Sequence, residues 1–167
     1  MVTDVWAELQ KIFGVRVDNL YPGIQINGLD RHTQETILQH ICKSVRELDP
    51  VLNDLETGIE LYPTTIDEMI DYLLSDKVDG MIWIETYIDG YPLPQIGFFA
   101  SSTSSLTIHY MMGMWTPVSV IGLFELLRWI NDLGDPISIR MEQDTAPRSF
   151  CKQFDKTWQA YLNDKRC

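Results

Sequence analysis

Hydrophobic and polar positions between residues 81 and 133 predict three strands followed by one long helix. The three apolar, strand-like runs cover residues 81–88, 95–100 and 106–112. The first and third runs place aliphatic side chains on one face and larger or polar ones on the other. An Asp89-Gly90 pair, which favours a hairpin turn, follows the first run. We therefore predict a three-strand antiparallel meander over residues 81–112.

The helix predicted after the meander covers residues 117–133 and is apolar around most of its surface. Its polar residues form one narrow stripe made of Glu125, Arg128 and Asp132. A helix this apolar must be covered on most sides, so we expect it in the middle of the fold. The alternating segment that follows, residues 137–141, predicts one more half-buried strand.

Four more helices are predicted from apolar positions that recur about every 3.6 residues. They cover residues 4–13, 33–48, 65–74 and 147–163. Thr3 is expected to cap the first of them. The second should end at the Asp49-Pro50 pair, because proline disfavours a helical residue before it. Thr65 and Glu68 have the spacing of a capping box at the start of the third.

Two shorter segments have weaker patterns. Residues 15–17 and 24–26 alternate around turn-forming residues, which predicts a hairpin, with an irregular loop as the alternative. Residues 59–62 predict a short strand. Because strands cluster in the middle of the chain and helices lie at both ends, we predict an α+β fold in which about five helices cover a central antiparallel sheet. The chain has no repeat or linker-like composition, so we expect one globular domain over residues 1–167.

The composition is typical of a globular, cytoplasmic protein. The chain has 167 residues, 45% of them hydrophobic, which is enough to bury a sizeable core. Its three cysteines, an odd number without metal-ligand spacing, indicate a reducing compartment. The N-terminus lacks the basic and apolar runs of a secretory signal. The most apolar stretch, residues 111–130, is interrupted by Pro117 and carries charges, so we predict no membrane span.

Acidic residues are concentrated in one part of the chain. The net charge is −11, and Lys77 is the only base in the acid-rich segment 47–89. Such a segment repels phosphates and attracts basic proteins, so we expect a basic protein partner and no direct binding to nucleic acid. The expected partner-binding side chains are the acids around the predicted third helix: Glu56, Glu60, Asp67, Glu68 and Asp71. The alternative is that these acids only keep the protein soluble.

No motif in the sequence specifies a catalytic centre, a cofactor or a metal site. Asp67 and Asp71 lie one helical turn apart, but the helix dipole also favours acids near a helix start, so we predict no metal. His109 and Glu85 are candidates for an acid–base pair in a pocket between the meander and a helix. The serine loop at residues 101–105 could supply a nucleophile there, or it only connects two strands.

The second face of the predicted sheet carries large amphipathic side chains. Met81, Trp83, Tyr87 and Met111 are expected on it, and Trp115 could join them. Because tryptophan, tyrosine and methionine are enriched at protein interfaces, Trp83, Tyr87 and Trp115 form a candidate aromatic binding surface. The simpler expectation is that one of the five helices covers this face as well.

These patterns favour a non-enzymatic protein-binding module. Its size and concentrated acidity suit an immunity-type inhibitor that masks the cationic cleft of a nuclease toxin, an analogy that rests on composition alone. One alternative is a small enzyme with a pocket near His109 and Glu85. Another is a structural subunit of a larger assembly.

Overall fold

The computed structural model describes residues 4–18 and 20–164, and within them one antiparallel sheet of seven strands carries five helices. The strands are β1 (Gly23–Asn27), β2 (Val45–Asp54), β3 (Glu60–Leu61), β4 (Val78–Ile88), β5 (Tyr91–Ser102), β6 (Ser105–Tyr110) and β7 (Ser138–Met141). The helices are α1 (Val5–Phe13), α2 (Arg31–Cys42), α3 (Ile66–Leu73), α4 (Pro117–Asn131) and α5 (Arg148–Asp164). The predicted α+β fold with a central antiparallel sheet is confirmed.

The sheet extends the predicted meander on both sides. The strand order is β3-β2-β4-β5-β6-β1-β7, so the meander β4-β5-β6 lies at the centre. β1 fills the gap between β6 and β7, where Ile24 is opposite both Ile108 and Met141. These long-range pairings align eight fully buried apolar side chains on one face: Ile24, Ile26, Ile82, Ile84, Ile96, Phe98, Leu106 and Ile108.

All five helices lie on this buried face. The ring of Phe13 in α1 stacks on Tyr110, with centroids 4.4 Å apart. α2 is joined to β4 because the buried Thr86 hydroxyl donates to the carbonyl of Ile41. α4 crosses β5, with Gly122 packed against Tyr91. α3 packs beside α2, and α5 packs on α4 through aromatic contacts.

α4 is the central helix, as its apolar surface predicts. It lies between the sheet on one side and α1 and α5 on the other, and most of its side chains are buried. A reciprocal capping box between Thr116 and Ser119 fixes its first turn. Among the described residues, no helix is both long and apolar enough to cross a membrane.

Two sequence predictions are wrong in the first third of the chain. The second helix ends at Cys42, and residues 45–54 form strand β2 rather than the end of that helix. The predicted hairpin is also absent: residues 24–26 belong to β1, whereas residues 15–17 belong to no helix or strand. Thr3, the expected cap of α1, lies outside the described residues, and Asp4 caps the helix.

The outer edge of β2 is largely unpaired. The two-residue strand β3 contacts β2 only at Leu52 and Asn53, which leaves residues 45–51 at the border of the sheet. Pro50 has no amide hydrogen, and Glu47 and Asp49 carry charge along the same border. Proline and charged side chains are common on edge strands, where they discourage further strand pairing.

Candidate functional site: the uncovered face of the sheet

The sheet face opposite the helices, here called the open face, carries a mixed aromatic and acidic surface. Its middle row crosses five strands in register and consists of Asp49, Trp83, Gly97, His109 and Gly23. None of the five helices covers it, so the alternative expectation of a helix there is wrong. Val51 and Tyr87, which point the same way, are 44% and 40% exposed.

Glycines on neighbouring strands make room for the rings on this face. A Cβ placed on Gly97 would lie 2.5 Å from Sδ of Met81 and 3.0 Å from Cζ3 of Trp83. Both side chains therefore lie flat against the backbone of β5, where a larger residue would push them outward. Tyr21 approaches Trp83 edge-on, with ring centroids 6.4 Å apart.

A shallow cleft of about 360 Å³ opens beside the indole of Trp83. We call it the Trp83 cleft, and it is lined by Glu47, Leu48, Asp49, Trp83, Glu85 and Gln95. Strand register determines its geometry: Asp49 is directly opposite Trp83, and Glu47 is directly opposite Glu85. Three carboxylates therefore surround one half-buried indole on the same side of the sheet.

A second, more apolar cleft of about 350 Å³ adjoins the first across Trp83. Its walls are Val51, Asn53, Asp79, Gly80, Met81, Trp83 and Phe99. Glu60 in β3 is opposite Asn53, so its register places it on the open face as well. The open face therefore combines an apolar centre with acids towards the β3-β2 border.

Among the described residues, no base forms an ion pair with the carboxylates of the Trp83 cleft. Within residues 4–18 and 20–164, the ion pairs formed by arginine involve Asp18, Glu35, Asp71, Glu125 and Asp132, and none involves Glu47, Asp49 or Glu85. Like charges directly opposite each other on neighbouring strands are destabilising. Glu47 and Glu85 therefore form a locally unfavourable pair in the isolated protein.

The acids expected around the third helix have mainly structural contacts. Glu68 accepts hydrogen bonds from Thr64 and Tyr72, and the bonds from Thr64 hold the pKa of the Glu68 carboxyl below its ordinary value. Asp71 pairs with Arg31 at 3.0 Å. Neither these two acids nor the exposed Glu56 and Asp67 line the Trp83 cleft.

Trp115 does not belong to the aromatic surface. It is 4% exposed and packs edge-on against Phe13 and Tyr110, at centroid distances of 5.2 and 5.7 Å. Its indole nitrogen donates to the carbonyl of Met111. Because β6 ends at Tyr110, the chain leaves the sheet before Trp115 and turns towards the helices. Trp83 and Tyr87, in contrast, do lie on the open face.

The predicted acid–base pair is not assembled. Glu85 lines the Trp83 cleft, but His109 does not, and Nδ1 of His109 lies 3.2 Å from the carbonyl oxygen of Tyr21. The serine hydroxyls of the loop bond to one another, as in the 2.6 Å contact between Ser101 and Ser105. Among the described residues, no histidine is hydrogen-bonded to a hydroxyl of the serine loop.

Two cysteines are packed as core thiols. Cys42 and Cys151 are both buried and free. Burial raises the pKa of the Cys42 thiol to about 11, and burial also raises the pKa of Cys151. Both thiols therefore stay protonated at neutral pH and are poor nucleophiles.

No three of the described His, Cys, Asp and Glu side chains converge closely enough to hold one metal ion. The carboxylates of the Trp83 cleft are thus spread around the indole instead of focused on a point. The sequence signal for this cleft was the alternation of Glu47, Asp49 and Val51, which the helix prediction obscured.

The chain matched no protein-family model, no curated protein and no solved structure.

Proposed function

We propose that this protein is a binding module that docks a basic protein partner on the open face of its sheet. One observation carries the proposal: a half-buried tryptophan lies among carboxylates that form no ion pair with a described base, on a sheet face that no described helix covers. Such a surface offers a partner both an apolar contact and negatively charged groups that can pair with its basic side chains.

The apolar part of the open face supplies the contact area. Met81, Trp83 and Phe99 adjoin one another there, and Val51 adds an exposed aliphatic side chain. Methionine and aromatic residues are enriched in the buried centres of protein interfaces. We therefore place Trp83 at the centre of the contact.

The acids supply specificity and association rate. Glu47, Asp49 and Glu85 would touch the partner, whereas Glu56 and Asp67 lie outside the cleft and would attract it from a distance. Long-range attraction raises the association rate, and contacts that become buried control dissociation. An immunity-type inhibitor, which masks the cationic cleft of a nuclease toxin, is the biological role that we propose for this surface.

The test begins with capture of partners from a lysate of the organism that makes the protein, at low and moderate salt. A captured basic protein is then purified, and its binding kinetics are measured by surface plasmon resonance. We expect Trp83→Ala to accelerate dissociation about 30-fold, as at an interface hot spot. The matched charge variants are E47Q/E85Q in the cleft and E56Q/D67N outside it.

The two charge variants separate contact from attraction. We expect E47Q/E85Q to accelerate dissociation and E56Q/D67N only to slow association. Equal dissociation rates for Trp83→Ala and the unmodified protein would contradict docking on the open face. An empty capture at both salt concentrations would contradict the basic-partner proposal itself.

A further inference from the structure

We infer that the Trp83 cleft is the receptor for an arginine side chain of the partner. This inference rests on the proposed function and identifies the group that would occupy the centre of the docking surface. It is carried by the arrangement of the carboxylates around the indole, by the unfavourable charge pair and by the spacing of the acids.

The indole has a carboxylate on two of its sides. Asp49 is directly across the strand pair from Trp83, and opposed side chains on antiparallel strands have Cβ atoms about 4.5–5.5 Å apart. Glu85 is two residues along β4 on the same face, with Glu47 opposite it. A cation resting on Trp83 would therefore meet carboxylates both across and along the sheet.

Within the described residues, no arginine or lysine forms an ion pair with the carboxylates of the cleft. Glu47 and Glu85 oppose each other, and the described arginines form their ion pairs elsewhere. A positive group placed between these two carboxylates would be attracted to both, and this attraction would offset their mutual repulsion. Because the described acids do not converge as metal ligands, the cleft fits a broad organic cation better than a metal ion.

Arginine fits this arrangement better than lysine. Its guanidinium is planar, so it can stack on an indole while its five N–H donors point outward in the ring plane. Those donors can reach carboxylates on two sides at once, which a compact ammonium group cannot do in the same geometry. The amide of Gln95, at the rim of the cleft, adds a neutral acceptor.

The test uses three fluorescein-labelled peptides of alternating glycine and one variable residue: arginine, lysine or citrulline. Citrulline keeps the shape of arginine but has no charge. Fluorescence anisotropy at low salt would measure affinity for the unmodified protein. We expect the arginine peptide to bind about fivefold more tightly than the lysine peptide, and the citrulline peptide to bind far more weakly than either.

Variants then assign the preference to the cleft. Trp83→Leu should remove the preference for arginine over lysine while retaining charge-driven binding, and E47Q/E85Q should weaken both cationic peptides. E56Q/D67N changes the net charge equally and should weaken the two cationic peptides less than E47Q/E85Q does. Circular dichroism and urea unfolding of each variant confirm that it is folded.

Two results would overturn the inference. Equal binding of the arginine and lysine peptides to the unmodified protein would show that the indole does not select a guanidinium. Equal weakening by E56Q/D67N and E47Q/E85Q would show that the peptides respond only to net charge. Either result leaves the docking proposal standing if Trp83→Ala still accelerates release of the captured partner, so the two proposals fail separately.

Discussion

The imidazole of His40 stacks on the indole of Trp129, with ring centroids 3.9 Å apart and planes inclined by 17°. The contact joins the last turn of α2 to α4 on the helix-bearing side of the sheet. Partial burial lowers the pKa of His40 from its ordinary value of 6.5, Asp89 acts in the opposite direction, and Lys43 lowers it further. The folded protein therefore favours the neutral imidazole.

This contact predicts a pH dependence of stability. The unfolded chain protonates His40 near pH 6.5, whereas the folded chain does so only at lower pH. The stability that burial of the neutral imidazole contributes is present above pH 6.5 and is lost as the pH falls through 6.5 towards the folded pKa. Urea unfolding at about pH 8 and about pH 5 measures the loss.

The matched control for this prediction is His40→Gln, which cannot be protonated. Other groups also titrate in this range, so the relevant quantity is the difference between the two proteins. We expect His40→Gln to show a smaller decrease in the free energy of unfolding between the two pH values. An identical decrease in both proteins would assign the effect to other groups.

Neutralising the opposed carboxylates should stabilise the isolated protein. E47Q/E85Q removes a like-charge pair between β2 and β4. We expect the free energy of unfolding in urea to rise by about 0.2–1 kcal/mol. E56Q/D67N removes two exposed acids outside the cleft and should not raise it, because Asp67 lies in the first turn of α3, where the helix dipole favours an acid. A decrease for E47Q/E85Q would show that the pair is not repulsive.

Gly97→Ala should disturb the open face more than the fold. The added methyl group would collide with the side chains of Met81 and Trp83, which border solvent and can move outward. We expect the free energy of unfolding to change by less than about 1 kcal/mol, while the emission of Trp83 shifts and partner binding weakens. The same substitution in a Trp83→Phe background should leave the remaining tryptophan emission unchanged.

Removing the N-cap of α3 should weaken the packing of that helix. The Thr65 hydroxyl accepts a hydrogen bond from the amide of Glu68. Thr65→Ala loses this bond, and we expect a cost of about 1 kcal/mol in the free energy of unfolding. Thr65→Ser keeps the hydroxyl and should unfold at nearly the original urea concentration; an equal loss for both variants would rule out capping as the cause.

The elements with buried, periodic faces could be predicted from the sequence, and β2 could not. Val45 and Leu48 continue the helical spacing of α2, so residues 33–48 have the pattern of one helix. In the structure β2 is an edge strand on which Leu52 alone is fully buried. A strand with so little burial carries no clear alternation, and its identity depends on pairing with β4, whose partner residues lie 24 to 41 positions further along the chain.

The sequence showed that Trp83 and Tyr87 share a face but not whether a helix covers it. That outcome depends on how five helices distribute between two faces, which local spacing does not determine. Trp115 was misplaced for a related reason. It follows the end of β6, so strand alternation no longer controls the direction of its side chain, and it packs on Phe13 instead.

The open border of β2 also bears on self-association. An unpaired edge strand is a template on which a second copy could extend the sheet, a first step towards fibrils. Here the missing amide hydrogen of Pro50 and the charges of Glu47 and Asp49 oppose that growth. The acids proposed to receive the partner thus also keep separate copies apart. If a partner neutralised these acids without covering the edge, only the missing amide hydrogen of Pro50 would still oppose extension of the sheet.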